Sequence, residues 1–341
     1  MTGIWTIIAA AASFIIAAVL GIWLVPFLRK LHFGQTILEI GPKWHKGKQG
    51  TPTMGGFMFI ISSIIATVVC VILFHITDSK NGIPAETKLQ SVKIYAGIFM
   101  AAAYGAIGFI DDYIKVIKKR NLGLTAKQKL ILQFIVAAAY LATVYFFGGN
   151  TQTYIPFVGM VDVGILYYPL SAILIVGIVN AVNLTDGIDG LDASVTFFAA
   201  IFLILISGFT ARIGLSIMSA ALAGGCLGFL VWNFHPAKVF MGDTGSLYLG
   251  GYICALLFGL DMPILLVLIG LVYIIEMFSV ILQVTYFKLT HGKRLFKMSP
   301  IHHHFEMCGW SEVKIVVIFS VFSAICGAIS LMMILTENKV F

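Results

Sequence analysis

Ten apolar runs, each bounded by polar or charged residues, fill most of this 341-residue chain and decide what it can fold into. They cover residues 4–28, 54–76, 92–110, 128–148, 165–183, 194–209, 213–233, 245–260, 263–287 and 313–335. A bilayer core takes about 20 apolar helical residues to cross, and within it every backbone amide must be paired inside the protein. The runs at 194–209 and 245–260 are the shortest of the ten. Hydrophobic residues make up 60% of the chain and charged residues 11%. That charged share is about half that of a soluble domain, which excludes a soluble globular class. The expectation is an all-α integral membrane protein of about ten transmembrane helices, a single polytopic domain over residues 1–341. The first run is long and lacks the basic start of a cleaved signal, so it reads as a retained span.

The net charge is +7. It points to membrane lipid and an anionic substrate, not to nucleic acid, because the cations sit in short loops between the runs. The loops at 29–53, 111–129, 184–193, 234–244 and 288–314 hold 17 of the 22 Lys and Arg residues, Lys43, Lys46, Lys119 and Arg120 among them. The opposite loops and the tail hold Lys80, Lys88, Lys93, Arg212 and Lys339. By the positive-inside rule the first set is cytoplasmic, and both termini lie on the extracytoplasmic side. The five cysteines form no Cys-x-x-Cys pair and read as inert thiols.

The chain has 15 acidic residues, and six of its nine aspartates crowd into or beside a few motifs in the cytoplasmic set of loops. Carboxylates at a membrane surface are costly to keep without a task. Asp111-Asp112 closes the third run and precedes Lys115; adjacent helical residues point about 100° apart, so the two carboxylates suit different jobs, metal binding and proton acceptance. An isolated Asp-Asp would be a solvated helix end. Asn180, Asn183, Asp186 and Asp189 recur every three residues, and Gly187 and Gly190 predict that the helix ends there and wraps around a ligand. Asp192 continues the spacing and reads as a solvated residue opening the next helix.

Asp243, flanked by glycines in Met241-Gly242-Asp243-Thr244-Gly245-Ser246, is a hard-oxygen ligand suited to Mg²⁺, or else the cap of the eighth helix. Asn233, closing the seventh run, suits a hydrogen bond to a base or sugar, and Phe240 suits stacking on one, although a lone Phe in a membrane protein is more often a packing residue. His302-His303-His304 with Glu306 suits phosphate contact in the last cytoplasmic loop, since consecutive side chains do not converge on one zinc ion. Thr51-Pro52-Thr53-Met54-Gly55-Gly56 after Lys48 suits a phosphate contact, and equally an ordinary helix entry. Glu276 is an intramembrane carboxylate, either functional or paired with another helix.

Taken together these segments resemble the polyprenyl-phosphate N-acetylhexosamine-1-phosphate transferases, in family order and across most of the chain. The Asp-Asp and Asn/Asp-Gly segments are similar to the whole superfamily. The Thr-Pro-Thr-Met-Gly-Gly and Ile-His-His-His-Phe-Glu forms resemble its muramoyl-pentapeptide branch. The resemblance implies Mg²⁺ dependence and an active-site cleft on the cytoplasmic face of a bacterial plasma membrane. It implies UDP-N-acetylmuramoyl-pentapeptide as donor and undecaprenyl phosphate as acceptor, with lipid I and UMP as products of the first membrane step of peptidoglycan synthesis. A homodimer is implied as well.

Carried over by position, Asp243 resembles the principal Mg²⁺ ligand, and Asp111 and Asp112 resemble the pair supporting the acceptor phosphate. Lys48, Thr53, Asn183, Asp186, Asn233 and Phe240 resemble positions around uridine and diphosphate, Asp189 belongs to the same substrate-binding turn, and Lys115 and Lys127 resemble cations of the same cleft. His302, His303 and His304 join the catalytic candidates. Asp192 inherits no role. The attack of acceptor phosphate on the donor is expected to be direct, with a phospho-aspartate route as the alternative. Two other readings stand beside this one. A sister transferase would use UDP-N-acetylglucosamine. A secondary transporter would keep its carboxylates near the bilayer midplane, whereas these collect at one surface.

Overall fold

A computed structural model describes residues 3–31, 48, 50–78, 87–118 and 122–336. Lys43, Lys46, Lys80, Lys119, Arg120 and Lys339, which enter the charge argument, lie outside the described residues. The chain is helical nearly throughout: α1 (Gly3–Lys30), α2 (Phe57–Asp78), α3 (Lys88–Ile117), α4 (Ala126–Phe146), α5 (Tyr167–Thr185), α6 (Leu191–Phe209), α7 (Ile213–Asn233), α8 (Gly242–Gly259), the short α9 (Leu266–Ile269), α10 (Leu271–Leu289), α11 (Ile301–Met307) and α12 (Glu312–Thr336). One two-stranded antiparallel hairpin, β1 (Gln152–Ile155) with β2 (Gly159–Asp162), joins α4 to α5 and has no counterpart in the sequence reading.

Nine of these helices are long and apolar enough to cross a membrane among the described residues. The tenth expected span corresponds to α8, which does not qualify by composition. Its first turn is Gly-Asp-Thr-Gly, and every residue from Thr244 to Gly259 is buried. A helix that meets no lipid needs no apolar outer face, so polar and small residues cost it nothing there. It packs most extensively on α3 and also on α5, while α1 packs on α7 and α6 on both α7 and α12. The outer faces of the surrounding helices carry the exposed apolar residues, such as Ile7 and Trp23 on α1, Ile135 on α4, Phe278 on α10 and Val321 on α12.

Three boundaries differ from expectation in ways that matter. Helix α3 runs seven residues past the expected end of its span, from 110 to Ile117, so Asp111 and Asp112 lie inside a helix and not at its terminus. The single run expected over 263–287 is interrupted at Gly270, where α9 gives way to α10. The His302–Glu306 segment is helix α11 and not an irregular loop. The start of α4 is fixed by a reciprocal capping box: Gln128 N–H donates to Thr125 Oγ1 (3.3 Å) and Thr125 N–H donates to Gln128 Oε1 (3.0 Å). That cap sets the rotational phase of every residue after it.

Candidate functional site

The site assembles around the N-terminus of α8. Met241 occupies the N-cap position without a side-chain hydrogen bond, and Asp112 of α3 serves instead. Its Oδ1 accepts from Asp243 N–H (3.2 Å), and its Oδ2 accepts from Thr244 N–H (2.9 Å) and Thr244 Oγ1–H (2.7 Å). A carboxylate at the positive end of a helix satisfies orphan amide donors and meets the favourable end of the macrodipole. Such close approach needs Gly242, whose φ is +71° and where an added Cβ would sit 2.5 Å from Asp112 Oδ2 and 2.6 Å from Thr53 Oγ1. Asp243 therefore does not cap its own helix, and its carboxylate is left for other partners.

Those partners are cations and an amide. Lys115 Nζ lies 2.6 Å from Asp111 Oδ2, 3.7 Å from Asp112 Oδ1 and 2.9 Å from Asp243 Oδ2. Lys129 Nζ lies 2.9 Å from the same Asp243 oxygen and 3.3 Å from Asn183 Oδ1. Asn183 Nδ2–H donates to Asp243 Oδ1 (2.9 Å) and to Ser246 Oγ (2.8 Å). Asp111 Oδ1 accepts from Leu124 N–H at 2.7 Å. Asp111, Asp112 and Asp243 each offer an oxygen within 4.8 Å of the others. Three carboxyl groups share two ammonium groups, one acid more than the cations of the cluster. Hard oxygen donors in this number suit a divalent cation such as Mg²⁺.

Asp186 stands at the C-cap of α5, partly exposed, and makes no hydrogen bond to another described residue. Burial, then the negative charges of Asp243, Asp112 and Asp189, push its carboxyl up to about 8. Three residues on, Asp189 is buried and fully engaged. Its Oδ1 pairs with Lys48 Nζ at 2.6 Å, and its Oδ2 meets His235 Nδ1 (3.1 Å) and accepts from Ala237 N–H (2.9 Å). The same ammonium lies 2.6 Å from Glu312 Oε2, so Lys48 sits between two carboxylates. Asn233 spends its amide on the backbone, accepting from Gly190 N–H (3.1 Å) and donating to Val239 C=O (2.9 Å). It shapes the turn that carries Asp189.

The Thr51–Gly56 segment reaches the site through its backbone. Gly55 N–H donates to Phe240 C=O (2.8 Å), Gly56 N–H to Met241 C=O (3.2 Å), and Phe240 N–H to Pro52 C=O (2.8 Å). This clasp holds Thr53 and partly exposed Phe240 beside Gly242. The three histidines diverge along α11: His302 meets Glu276, His303 Nδ1 meets Glu306 Oε2 at 2.6 Å, and His304 Nδ1 accepts from Lys297 N–H at 3.1 Å.

One cation not named from the sequence reaches the cluster, and one residue expected to be solvated proves to be buried. Lys127 is exposed on the first turn of α4, and Lys129, about 200° further around the helix, is the cation that reaches Asp243. Asp192 is 1% exposed, not solvated, and its Oδ2 has no hydrogen-bond partner. Sequence reasoning also missed Glu312 and His235 beside Lys48. For Lys129 a signal was present: it lies on the stripe Lys129, Gln133, Ala137, Tyr140, Leu141, whose last four members are buried. Nothing in the sequence around Glu312 marks it.

Residues 94–261 match the family described as Glycosyl transferase family 4, which places the chain in a class of transferases and spans the α3–α8 interface on which the site is built. Over nearly its whole length the chain is also similar to individual bacterial enzymes. It is 47% identical to the phospho-N-acetylmuramoyl-pentapeptide-transferase of Clostridium perfringens over 94% of each chain. It is 48% identical to that of Bacillus subtilis over 90% of this chain and 91% of the other. It is 44% identical to that of Caldicellulosiruptor bescii over 98% and 99%. The chain belongs to the phospho-N-acetylmuramoyl-pentapeptide-transferase family.

Proposed function

We propose that this protein transfers phospho-N-acetylmuramoyl-pentapeptide from its UDP conjugate to undecaprenyl phosphate, yielding lipid I and UMP. The observation that carries the reading is the convergence of Asp111, Asp112 and Asp243, from helices far apart in sequence, within 4.8 Å of one another. The chain is a single polytopic domain in a bacterial plasma membrane, with the α8 N-terminus at the cytoplasmic face and both termini outside. The distribution of basic loop residues supports that orientation. A homodimer is part of the same reading.

The reaction joins two anions, so most of the catalytic task is to position them and to offset their charge. Asp243 would hold a Mg²⁺ ion, which when bound neutralises diphosphate charge and favours departure of UMP. Lys115 and Lys129 supply fixed positive charge beside it. An oxygen of the acceptor phosphate attacks the sugar-bearing phosphorus of the donor. The bond from that phosphorus to the bridging oxygen breaks, and the pair of electrons leaves with UMP. Of the aspartate pair, Asp112 is committed to α8 by three hydrogen bonds, so Asp111 is the member assigned to take a remaining proton from the acceptor. Lys48 and Asp189, with Thr53, Phe240 and the turn shaped by Asn233, form the nucleotide side of the cleft, and Asp186 faces the diphosphate. His303 and His304 add N–H donors at its margin, and Lys127 is left as a long-range charge.

The test is UMP release by the purified protein with undecaprenyl phosphate, comparing UDP-N-acetylmuramoyl-pentapeptide with UDP-N-acetylglucosamine, with and without Mg²⁺. Release with the first donor alone, dependent on Mg²⁺, is expected. Release with the second donor instead would assign the chain to the sister activity.

A further inference from the structure

Glu276 of α10 and His302 of α11 are both fully buried, at 0% exposure. His302 Nδ1 lies 3.1 Å from Glu276 Oε2. An ionised carboxylate at Glu276 would only accept, which would put the proton on Nδ1 and fix the plane of the ring. The other ring nitrogen, Nε2, is buried and has no hydrogen-bond partner. It points at the turn that carries Asp186: a Cβ added to Gly187 would lie 2.1 Å from Nε2 and 2.6 Å from Cε1. A buried polar nitrogen left unpaired is costly, and such an exception in a folded protein calls for a ligand or a task.

We propose that Glu276 is a positioning residue for the transfer reaction, acting through His302. Its carboxylate holds the imidazole with the proton on Nδ1 and turns Nε2 toward the Asp186–Gly187 turn. There Nε2, an acceptor while Nδ1 holds the proton, accepts a hydrogen bond from an O–H group of the bound nucleotide-sugar donor. Gly187 is the complementary half of the device, because any side chain there would occupy the space in front of Nε2. The inference rests on the transferase reading above, and it separates His302 from its neighbours His303 and His304, whose Nδ1 atoms have other partners.

The primary test is a double-mutant cycle on UMP release. Glu276→Gln keeps the volume and removes the acceptor charge, and its amide pairs with the other tautomer. It is expected to lower kcat about tenfold or more while the donor KM changes less than about threefold, as for groups that act in the transition state. In a His302→Ala background the same Glu276→Gln change is expected to cost less than about twofold further. Equal losses in both backgrounds, or full turnover in Glu276→Gln, would overturn the assignment. Should Glu276→Gln fail to fold in detergent, Gly187→Ala moves the ring from the opposite side and is expected to give the same kcat loss, again vanishing in His302→Ala; an undiminished kcat there would sink the idea. Histidine-selective ¹⁵N NMR reads the ring without any assay: Nδ1 protonation in the unaltered protein is expected, and a proton on Nε2 alone would refute the proposal. A protein that shows Nδ1 protonation yet releases no UMP from either donor would break the transferase reading and leave this pairing intact.

Discussion

The two ends of α8 carry ion clusters of opposite balance. At its N-terminus Asp111, Asp112 and Asp243 share Lys115 and Lys129. Two residues beyond its C-terminus Asp261 faces Lys93 Nζ at 2.5 Å and Arg212 at 3.9 Å. One end has more carboxylates than cations, and the other has more cations than carboxylates. The helix macrodipole favours each arrangement, acids at the N-terminus and cations at the C-terminus. The difference is that the C-terminal cluster is satisfied within the fold, whereas the N-terminal one carries surplus negative charge beside a carboxyl, that of Asp186, with no hydrogen-bonding partner. An acidic surplus on rigid helices marks a place for an outside cation; a closed ion pair marks a strut.

That contrast can be broken from either end. The largest effect is expected for Asp243→Ala, which should lower turnover by about three orders of magnitude or more while the protein still elutes as a folded species in detergent. Near-native turnover would show that the surplus charge has no catalytic task. Next, Lys129→Gln should lower kcat/KM by about 10–100-fold, the value of one charge-assisted hydrogen bond, and Lys127→Gln by less than about twofold. A reversed order would mean the working geometry uses the exposed lysine.

Third, the Asp186 carboxyl, pushed up to about 8, holds its proton at pH 7. The negative charge that Asp186 gains on ionising should therefore strengthen cation binding at nearby Asp243 as pH rises toward 8, by less than about tenfold per unit, and level off above it. Mg²⁺ titrations between pH 6.5 and 9 read this directly, and Asp186→Asn should flatten the rise. Smallest on turnover is Asp261→Asn, which should leave kcat and KM within about twofold while lowering stability to heat by about 1–3 kcal/mol. A loss of turnover comparable to that of Lys129→Gln would erase the distinction between the two ends.

The motifs that build the site were legible because each places an unusual residue type at the end of an apolar run. Asp111, Asp112, Asn183, Asp186 and Asp243 could be named from that alone. Their division of labour could not. Whether Asp112 or Asp243 caps α8 depends on the crossing of α3 over α8, which no local pattern encodes. Lys129 reaches Asp243 because α4 begins at the Thr125–Gln128 cap, inside a stretch whose charges mark it as a loop, and only that cap sets the phase that turns Lys129 inward. Asp192 looked solvated because helix starts usually are; here α6 begins inside the bundle. The spans were legible to within a few residues except at α3, which runs on past its expected end, and at Gly270, where a glycine broke a continuous apolar run.

The junction between the Pro52–Gly56 and Phe240–Met241 segments is hydrogen-bonded through main-chain amides and carbonyls. Truncating the side chains of Thr53 or Phe240 would leave those three links intact, whereas a Cβ at Gly55 would meet Val239 Cγ2 at 2.6 Å and one at Gly56 would meet Gly245 Cα at 2.4 Å. The contact that joins the first and third quarters of the chain is therefore vulnerable at its two glycines, or to an ester at position 55, and Thr53 and Phe240 would then drift apart together with the walls they line.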